Sequence, residues 1–215
     1  MDFVLFGIQG SGKGTQSKFL AEKYGLKIFE TGAELRALAQ ENSELGRKVK
    51  EITTAGNLVP TKIVMEIIEN FIKRATEEDS VIFDGIPRSM EQADQFEALM
   101  KKYNRDFIGI YFNLPREEAI KRLTTRRICE KCKTVYPATY KEDVCSVCGG
   151  KLTVRADDNL ASIENRINAF YKETEPVIKK YASVGRIIEI DAAPPIEKVK
   201  EDMFAKVENF LVKKN

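Results

Sequence analysis

Short apolar runs alternate with longer amphipathic segments along most of this chain. Four runs are nearly continuous in apolar residues, at 3–6, 81–83, 107–112 and 186–190, and such runs are typical of parallel strands buried on both faces. The amphipathic segments have the period of helices and cover residues 61–75, 89–103, 116–127, 159–182 and 196–212. A further helix is expected at 15–24, after a glycine-rich turn. Pro176 is expected to kink or break the segment 159–182. The alternation predicts an α/β fold with helices on both faces of a parallel sheet and a binding crevice at the carboxyl ends of the strands.

Two stretches interrupt this alternation. Residues 30–59 carry two short helical patterns, the first with a capping-box spacing between Thr31 and Glu34 and the second beginning at about Ser43. Residues 128–158 lack helical periodicity and contain few apolar residues. We therefore expect one core with two small insertions. The expected boundaries are 1–29, 60–125 and 160–215 for the core, and 30–59 and 126–159 for the insertions.

Charge and length narrow the class of protein further. The chain has 215 residues, of which 35 are basic and 33 acidic, giving a net charge of +2. This balance argues against a general nucleic-acid or membrane surface. No apolar stretch approaches the roughly 20 residues that span a bilayer, and the N-terminus lacks the pattern of a signal peptide. We expect a cytoplasmic protein that binds neither nucleic acid nor membranes.

A glycine-rich loop follows the first apolar run. Residues 7–15 read GIQGSGKGT, with Gly7, four residues, Gly12 and Lys13 in the spacing of a phosphate-binding loop. In such a loop, backbone N–H groups and the N-terminus of the next helix surround a phosphate, and the lysine reaches the outer phosphates. The residue after Lys13 is Gly14, and the hydroxyl comes one position later, at Thr15. The loop predicts nucleotide binding.

All four cysteines lie in the second insertion. Their spacing is Cys129-x2-Cys132, twelve residues, and Cys145-x2-Cys148. Two such pairs can surround a tetrahedral Zn²⁺ with four thiolates, in a closed site that stabilises the fold and does no chemistry. The spacing leaves open reduced thiols without a metal, two disulfides, and iron in place of zinc.

A zinc ribbon also raises a nucleic-acid-binding alternative, because a basic run precedes the first cysteine. The run consists of Lys121, Arg122, Arg126 and Arg127. Balanced overall charge argues against a nucleotide-switched RNA-binding protein, and so does the scarcity of aromatic residues on which bases stack.

Several motifs together resemble the adenylate kinases, in particular the bacterial type with a zinc-bearing lid. In chain order they are the GKGT loop, TGAELR at 31–36, NLV at 57–59, DGIPR at 84–88, Gln92, Arg126-Arg127, the four cysteines, RADD at 155–158 and Asn165-Arg166. The resemblance covers essentially the full chain. It implies a P-loop three-layer α/β/α fold, with 30–59 as the insertion that binds the nucleoside monophosphate and 126–159 as a zinc-ribbon-like lid.

The resemblance also implies the reaction. The γ-phosphoryl group of MgATP would pass reversibly to AMP, giving two ADP and maintaining the balance of adenine nucleotides. Kinases of this type are usually monomers, so we expect a monomer. A kinase for another nucleoside monophosphate is the alternative of the same class, against which Gln92 and the cysteines argue.

The implied site residues fall into three sets. Those at the transferred phosphoryl group are Lys13, Arg88, Arg126, Arg155 and Arg166. Those that bind MgATP are Gly10, Ser11, Gly12, Lys13, Gly14, Thr15, Arg122, Arg126, Val135, Tyr136 and Ala193. Those that bind AMP are Thr31, Arg36, Asn57, Leu58, Val59, Gly85, Ile86, Pro87, Arg88, Gln92, Arg155 and Arg166. Asp84 would hold Mg²⁺ through water, and Asp157 and Asp158 would orient the lid arginines.

Residue chemistry supports these roles and leaves structural alternatives for some. Phosphoryl transfer needs positioning and positive charge more than a protein base, and the sequence contains no histidine. Arg36 has the planar fork that binds two phosphate oxygens, or it is a surface arginine. Thr31 and Gln92 could instead be helix caps, the latter with Ser89, and the two aspartates could lie on a solvated face.

The sequence departs from the family pattern at several positions. Ala33 stands where Asp is frequent, Gln9 where Pro is common, and Ile86 where Phe is common. The gap between the cysteine pairs is short, and the usual lid histidine is missing. These differences bear on affinity and lid kinetics more than on reaction class.

Overall fold

The computed structural model describes residues 1–76, 79–155 and 158–214. Its strands are β1 (Asp2–Phe6), β2 (Lys27–Glu30), β3 (Val81–Asp84), β4 (Phe107–Asn113), β5 (Arg127–Cys129), β6 (Val135–Tyr136), β7 (Leu152–Thr153) and β8 (Ile187–Asp191). Its helices are α1 (Lys13–Tyr24), α2 (Thr31–Leu38), α3 (Glu44–Thr54), α4 (Thr61–Arg74), α5 (Met90–Lys102), α6 (Arg116–Thr125), α7 (Leu160–Ala169), α8 (Glu175–Ser183) and α9 (Ile196–Lys214). A π-helical segment, Phe170–Thr174, joins α7 to α8.

A five-stranded parallel sheet forms the centre of the molecule, in the order β2-β3-β1-β4-β8. All five residues of β1 are buried, as its apolar run predicts. The sequence pattern missed β2, because this edge strand reads KIFE and only Phe29 is fully buried. Glu30 at the end of β2 lies beside Asp84 at the end of β3. The α/β fold with a parallel sheet is thus confirmed.

Helices flank the sheet and close its core. α1 packs against α9, while α5 packs against both α4 and α8. A chain of ring contacts runs through this core, from Phe29 to Phe83, Phe96, Phe107 and Tyr181, with ring centroids 5.2–5.9 Å apart. These aromatic side chains fix α5 and α8 against the strands. This packed core supports the carboxyl ends of the strands.

The amino ends of the strands are tied by a buried ion pair. Arg105 donates two hydrogen bonds to Asp2, from Nε to Oδ2 at 2.6 Å and from Nη2 to Oδ1 at 2.7 Å. Asp2 Oδ1 also accepts from the Val81 amide at 2.9 Å. This pair lies at the start of β1, at the edge of the sheet opposite the glycine-rich loop. It therefore stabilises the fold and is not part of the site.

A second, antiparallel sheet of three strands has the order β6-β5-β7. Its small core contains Cys129, Tyr136, Cys145 and Leu152. The helix predicted over 116–127 extends too far, because α6 ends at Thr125 and Arg127 is the first residue of β5.

The structure confirms the expectations about Pro176 and Ser43 and contradicts the one about Thr31. The π-helical segment interrupts the helix expected over 159–182, and Pro176 lies in the first turn of α8, as a helix-breaking residue does. The capping box at Thr31 is wrong, because Glu30 is the N-cap and Thr31 is the first residue of α2. Ser43 does cap α3 and accepts a hydrogen bond from the Gly46 amide. None of the helices in the described ranges has the length and low charge needed to cross a bilayer.

Candidate active site

The glycine-rich loop connects β1 to α1 at the carboxyl edge of the central sheet. Gly7 has a φ of 148°, and a Cβ there would lie 2.7 Å from the Phe112 carbonyl oxygen, so only glycine fits. Gly12 has a left-handed φ of 89° and is the N-cap of α1. Ser11 is buried, and its hydroxyl has no hydrogen-bond partner among the described residues. The loop thus presents backbone and hydroxyl groups where a phosphate would supply the missing partners.

Lys13 folds back into this loop. Its Nζ donates hydrogen bonds to the carbonyl oxygens of Gly7, at 2.7 Å, and Ile8, at 3.1 Å. Burial lowers the pKa of Lys13 to about 8; the carboxylate of Asp84 opposes this shift, and the charges of Arg88 and Arg126 add to it. The ammonium is therefore held in a crowded cationic environment that a phosphate would relieve.

Two carboxylates lie at the ends of neighbouring strands beside the loop. A Cβ on Gly14 would be 3.5 Å from Glu30 Oε1 and 3.9 Å from Asp84 Oδ2. Burial raises the pKa of Asp84, against the charges of Lys13 and Arg88. Burial also raises the pKa of Glu30, and Asp84 raises it further, while Arg36 and Arg155 act in the opposite direction. Sequence reasoning missed Glu30 because it missed β2, whose end aligns with Asp84.

Arg88 is held by its own neighbours in the turn after β3. Its Nε donates to the Gly85 carbonyl oxygen at 2.7 Å, and its guanidinium covers Gly85, where a Cβ would lie 2.7 Å from Arg88 Nη2. Its amide donates to Gln92 Oε1 at 2.8 Å, and its carbonyl oxygen accepts from the Thr174 hydroxyl at 2.9 Å. Burial lowers the pKa of Arg88, and the nearby charges of Arg166 and Arg36 contribute.

Gln92 has a clear structural role. Ser89 is the N-cap of α5 and its Oγ accepts from the Gln92 amide at 3.2 Å. Gln92 Oε1 accepts a hydrogen bond from the Arg88 amide, so this oxygen has a structural role at the start of α5. An adenine contact through the amide nitrogen of Gln92 stays a prediction.

Asp158 connects two of the predicted catalytic arginines. Its Oδ2 accepts from Arg126 Nε at 2.7 Å, and its Oδ1 accepts from Arg126 Nη2 at 2.8 Å and from Arg166 Nη2 at 2.9 Å. Burial raises the pKa of Asp158, but the hydrogen bonds and charges of the two arginines outweigh this effect and hold the pKa below its usual value. Asp158 therefore orients these arginines and does not lie on a solvated face, while Asp157 lies outside the described residues.

The helix that carries Arg166 also contacts the end of α3. The Ser162 hydroxyl donates to the Thr54 carbonyl oxygen at 2.8 Å, and Asn165 Nδ2 donates to the Ala55 carbonyl oxygen at 3.2 Å. Gly56 has a left-handed φ, and a Cβ there would lie 2.9 Å from the Ser162 carbonyl oxygen. The end of α3 and the residues that follow it thus contact α7 about one helical turn from Arg166.

The predicted AMP residues differ in their burial and in their contacts. Thr31 is only 3% exposed, and its hydroxyl lacks a partner within residues 1–76, 79–155 and 158–214. Arg36 is exposed and Val59 is buried. A cavity of about 350 Å³ borders Asn57 and Leu58, and its other lining residues are Asn165, Asn168, Ala169, Lys172 and Glu173. The unpartnered hydroxyl of Thr31 is chemically suited to a polar ligand.

A smaller cavity of about 50 Å³ brings several predicted residues together. It is bordered by the glycine-rich loop, the turn after β3 and the π-helical segment, with the lining residues Leu5, Phe6, Gly7, Gln9, Lys13, Gly85, Ile86, Pro87, Arg88, Phe170 and Thr174. Gln9 Oε1 is buried there and has no hydrogen-bond partner in the described part of the chain. Lys13 and Arg88 thus border one small cavity.

Arg122 and Ala193, two of the residues predicted to bind MgATP, contact each other. Arg122 donates from Nη1 to the Ala192 carbonyl oxygen and from Nη2 to the Ala193 carbonyl oxygen, both at 3.0 Å. Its Nε donates to Glu118 Oε1 at 3.1 Å. Arg122 and Ala193 are therefore adjacent, as the prediction requires, but the Ala193 carbonyl oxygen already accepts a hydrogen bond.

Tyr136 has contacts that the sequence did not predict. Its side chain is buried in the antiparallel sheet, and its hydroxyl lies 3.1 Å from Cys145 Sγ and 3.0 Å from Ser146 Oγ. The hydroxyl also accepts from the Ser146 amide at 3.0 Å. This side chain supports the cysteine cluster, and its contacts give no support to a role in ATP binding. Val135, next to it, is 39% exposed.

The four cysteines form one cluster. Their Sγ atoms all lie within 4.8 Å of one another. Cys129 Sγ is 3.5 Å from Cys148 Sγ, and Cys132 Sγ is 3.4 Å from Cys145 Sγ, so neither pair is a disulfide. Four ligands about 2.3 Å from a tetrahedral zinc ion would be about 3.8 Å apart. The donor set and its spacing are compatible with a structural zinc.

Comparison with known proteins agrees with the geometry. The family model described as adenylate kinase matches residues 5–186. The chain is 38% identical to the adenylate kinase of Methanosarcina barkeri, over 98% of this chain and 100% of the relative. It is 36% identical to that of Archaeoglobus fulgidus, over 97% and 98% of the two chains, and 36% identical to that of Magnetococcus marinus, over 95% and 99%. The resemblance to the adenylate kinases is thus confirmed, while the zinc-bearing lid stays a prediction, and the chain belongs to the adenylate kinase family of nucleoside monophosphate kinases.

Proposed function

We propose that this enzyme transfers the γ-phosphoryl group of MgATP to AMP, reversibly, to give two ADP, and so maintains the balance of adenine nucleotides. The observation that carries the proposal is the convergence of charge at one edge of the sheet. Lys13 and Arg88 border one small cavity there, and Arg126 and Arg166 share the carboxylate of Asp158. The nearby carboxylate of Asp84 opposes the lowering, by burial, of the pKa of Lys13 and of Arg88. A phosphoryl group in transfer carries negative charge spread over its three equatorial oxygens, and such a cationic environment stabilises that charge.

The glycine-rich loop is the donor site in this proposal. Backbone groups of Gly10, Ser11, Gly12, Gly14 and Thr15 surround the phosphates of ATP, and Lys13 leaves the Gly7 and Ile8 carbonyl oxygens to bind the β- and γ-phosphates. Adenylate kinases use Mg²⁺ with ATP, and the carboxylate of Asp84, next to Lys13, is chemically suited to hold the ion through water. The ion would neutralise charge on the phosphate oxygens.

The arginines supply the rest of the stabilisation. Asp158 fixes the planes of Arg126 and Arg166 before substrate arrives, so that little reorganisation is left for the reaction itself. Arg88 approaches from the turn after β3, and Arg155 lies near Glu30. These residues bind the phosphoryl group and the two phosphates that flank it.

The acceptor site is proposed between the first insertion and the end of β3. Arg36 and Arg88 hold the AMP phosphate, and the unpartnered hydroxyl of Thr31 donates to it. The AMP nucleoside contacts Asn57, Leu58, Val59, Gly85, Ile86, Pro87 and the amide of Gln92. Ile86 is 1% exposed and belongs to the hydrophobic core, so its contribution to AMP binding is backbone and a small apolar surface.

The two insertions are proposed to move against the core. Residues 30–59 bring AMP to the site, and residues 126–159 close over ATP and exclude water, which would otherwise accept the phosphoryl group. Zinc held by the four cysteines would keep this small lid rigid, since about 30 residues bury little core of their own. Reduced thiolates suit the cytoplasm, which is where we expect the enzyme to work, as a monomer.

A panel of acceptors tests the proposal. Purified enzyme is given MgATP and, separately, AMP, UMP, CMP or GMP, and diphosphate formation is measured. We expect kcat/KM for AMP to exceed the others by at least about a hundredfold. Equal or better turnover of UMP or CMP would overturn the AMP assignment. The Lys13→Ala variant, purified in parallel, controls for contaminating kinases and should be inactive with every acceptor.

A further inference from the structure

The connection between α7 and α8 departs from regular α-helical geometry. Residues Phe170–Thr174 form a π-helix, which is rare and is frequent at functional sites. The segment begins four residues after Arg166. Two of its residues, Phe170 and Thr174, line the 50 Å³ cavity that Lys13 and Arg88 also border. The irregular turn therefore lies against the phosphoryl-transfer site.

The hydroxyl of Thr174 bonds to a residue of this site and does not cap its own helix. It occupies the N-cap position of α8, where a threonine commonly accepts from the first turn, yet α8 has no side-chain cap within the described chain. The hydroxyl instead donates to the carbonyl oxygen of Arg88 at 2.9 Å, across 86 positions of sequence. Thr174 is only 7% exposed, so water does not easily replace this bond.

The π-turn explains how Thr174 reaches Arg88. A π-turn accommodates about one residue more than an α-turn, and each residue turns a helix by about 100°. Without the wide turn, Thr174 would face a different side of the helix. The extra residue thus allows two hydrogen bonds to form from consecutive helical segments. Arg166 on α7 donates to Asp158, and Thr174 at the start of α8 donates to the Arg88 carbonyl oxygen.

We propose that Thr174 is a positioning residue that holds Arg88 for the acceptor phosphate and ties it to the helix that carries Arg166. Arg88 lies in a short turn, and its amide and Nε are satisfied by neighbours close in sequence, Gln92 and Gly85. The bond to its carbonyl oxygen is the long-range one. Removing it frees the turn to shift, and an arginine fork displaced by a fraction of an ångström binds a phosphate poorly. This inference rests on the proposed function.

Three variants test the inference. Thr174→Val keeps the shape and removes the donor, Thr174→Ser restores the donor, and Thr174→Ala is measured in case Val disturbs the packing. Thr124→Val is the matched control, because in the described part of the chain the Thr124 hydroxyl donates within its own helix, to the Ile120 and Lys121 carbonyl oxygens. KM and kcat are measured for AMP and ATP separately, together with the thermal midpoint of each variant.

We expect Thr174→Val to lower kcat/KM for AMP about tenfold, with KM for ATP within about twofold of wild type. Thr174→Ser should recover most of the loss, and the control should be unchanged. In the background of Arg88→Lys, the Val substitution should have little further effect, because Thr174 acts through Arg88. A lowered thermal midpoint with unchanged kinetics, an equal loss for ATP and AMP, or full additivity with Arg88→Lys would each overturn the inference.

The two proposals fail in different ways. If wild-type enzyme does not phosphorylate AMP, the proposed function is wrong, and the variants are then tested with whichever monophosphate it accepts. If wild type phosphorylates AMP and Thr174→Val matches it in every kinetic parameter, only the role of Thr174 is wrong.

Discussion

The pairing of Asp158 with two arginines allows a quantitative prediction. The Asp158 side chain is 0% exposed, and Arg126 and Arg166 are 16% and 12% exposed. Asp158→Asn keeps the shape but removes the charge that three hydrogen bonds share. A charge-assisted bond contributes about 1.5–3 kcal/mol, and breaking a buried ion pair costs about 3–5 kcal/mol. Because the asparagine oxygen still accepts one bond and the arginines retain some water, we expect the free energy of unfolding to fall by about 3 kcal/mol.

The same substitution should affect catalysis. Without the carboxylate, the planes of Arg126 and Arg166 are no longer fixed, and misplacing a catalytic group by about 1 Å costs about a hundredfold in rate. We therefore expect kcat to fall about a hundredfold at a temperature where the variant remains folded. Urea unfolding gives the change in stability, and a coupled assay of ADP formation gives the rate.

Asp143 provides the matched control for this experiment. It pairs with Arg127 at 3.1 Å, but its side chain is 98% exposed. A surface pair of this kind contributes about 0–1 kcal/mol, so Asp143→Asn should leave both stability and kcat near wild type. If Asp158→Asn proves as mild as Asp143→Asn in both assays, the assignment of Asp158 as the residue that orients the arginines is refuted.

Three further predictions follow from the site. Burial lowers the pKa of Lys13 to about 8. Because only the ammonium form binds phosphate, the Kd for ATP measured by calorimetry should rise as pH increases above 8, and Lys13→Arg should flatten this pH profile. A wild-type Kd that stays constant from pH 7 to 9.5 contradicts this prediction. The purified protein should carry about one zinc per chain, and Tyr136→Phe should weaken zinc retention about tenfold against a chelator. The control Tyr140→Phe removes a hydroxyl that donates to the Val144 carbonyl oxygen, and it should retain zinc as the wild type does. Equal zinc loss from the two variants speaks against a role for the contact between the Tyr136 hydroxyl and Cys145 Sγ. Arg126 and Arg166 lower the pKa of Asp158, so the charge of Asp158 stabilises the fold above its unfolded pKa of about 3.9, and this stabilisation is lost as pH falls below that value. In urea titrations from pH 6 to 3, the free energy of unfolding should therefore fall less in Asp158→Asn than in wild type.

The features that the sequence predicted correctly are those with strong local signals. The apolar runs identified four of the five central strands, and Gly7, Gly12 and Lys13 marked the loop because backbone geometry allows few alternatives there. The spacing of the cysteines located the cluster, because two Cys-x2-Cys pairs are a strong local signal for a four-thiolate site. The α/β class followed from the alternation of the two periods.

The features that it missed depend on tertiary contacts. β2 is too short and too polar to stand out, and with it Glu30 remained unnoticed. Tyr136 is buried against Cys145 only because β6 pairs with β5, and no periodicity reports that face. The π-turn that directs Thr174 to Arg88 has no known local code, since it is set by packing at both ends of the helix.

The central claim is tested most directly by competition in one reaction. Enzyme is given ATP labelled at the γ-phosphate and equal concentrations of AMP, CMP and UMP, and the labelled products are separated. Our account predicts label almost entirely in the β-phosphate of ADP, with very little in inorganic phosphate, CDP or UDP, and none with Lys13→Ala. Label mainly in CDP, UDP or inorganic phosphate would contradict the account.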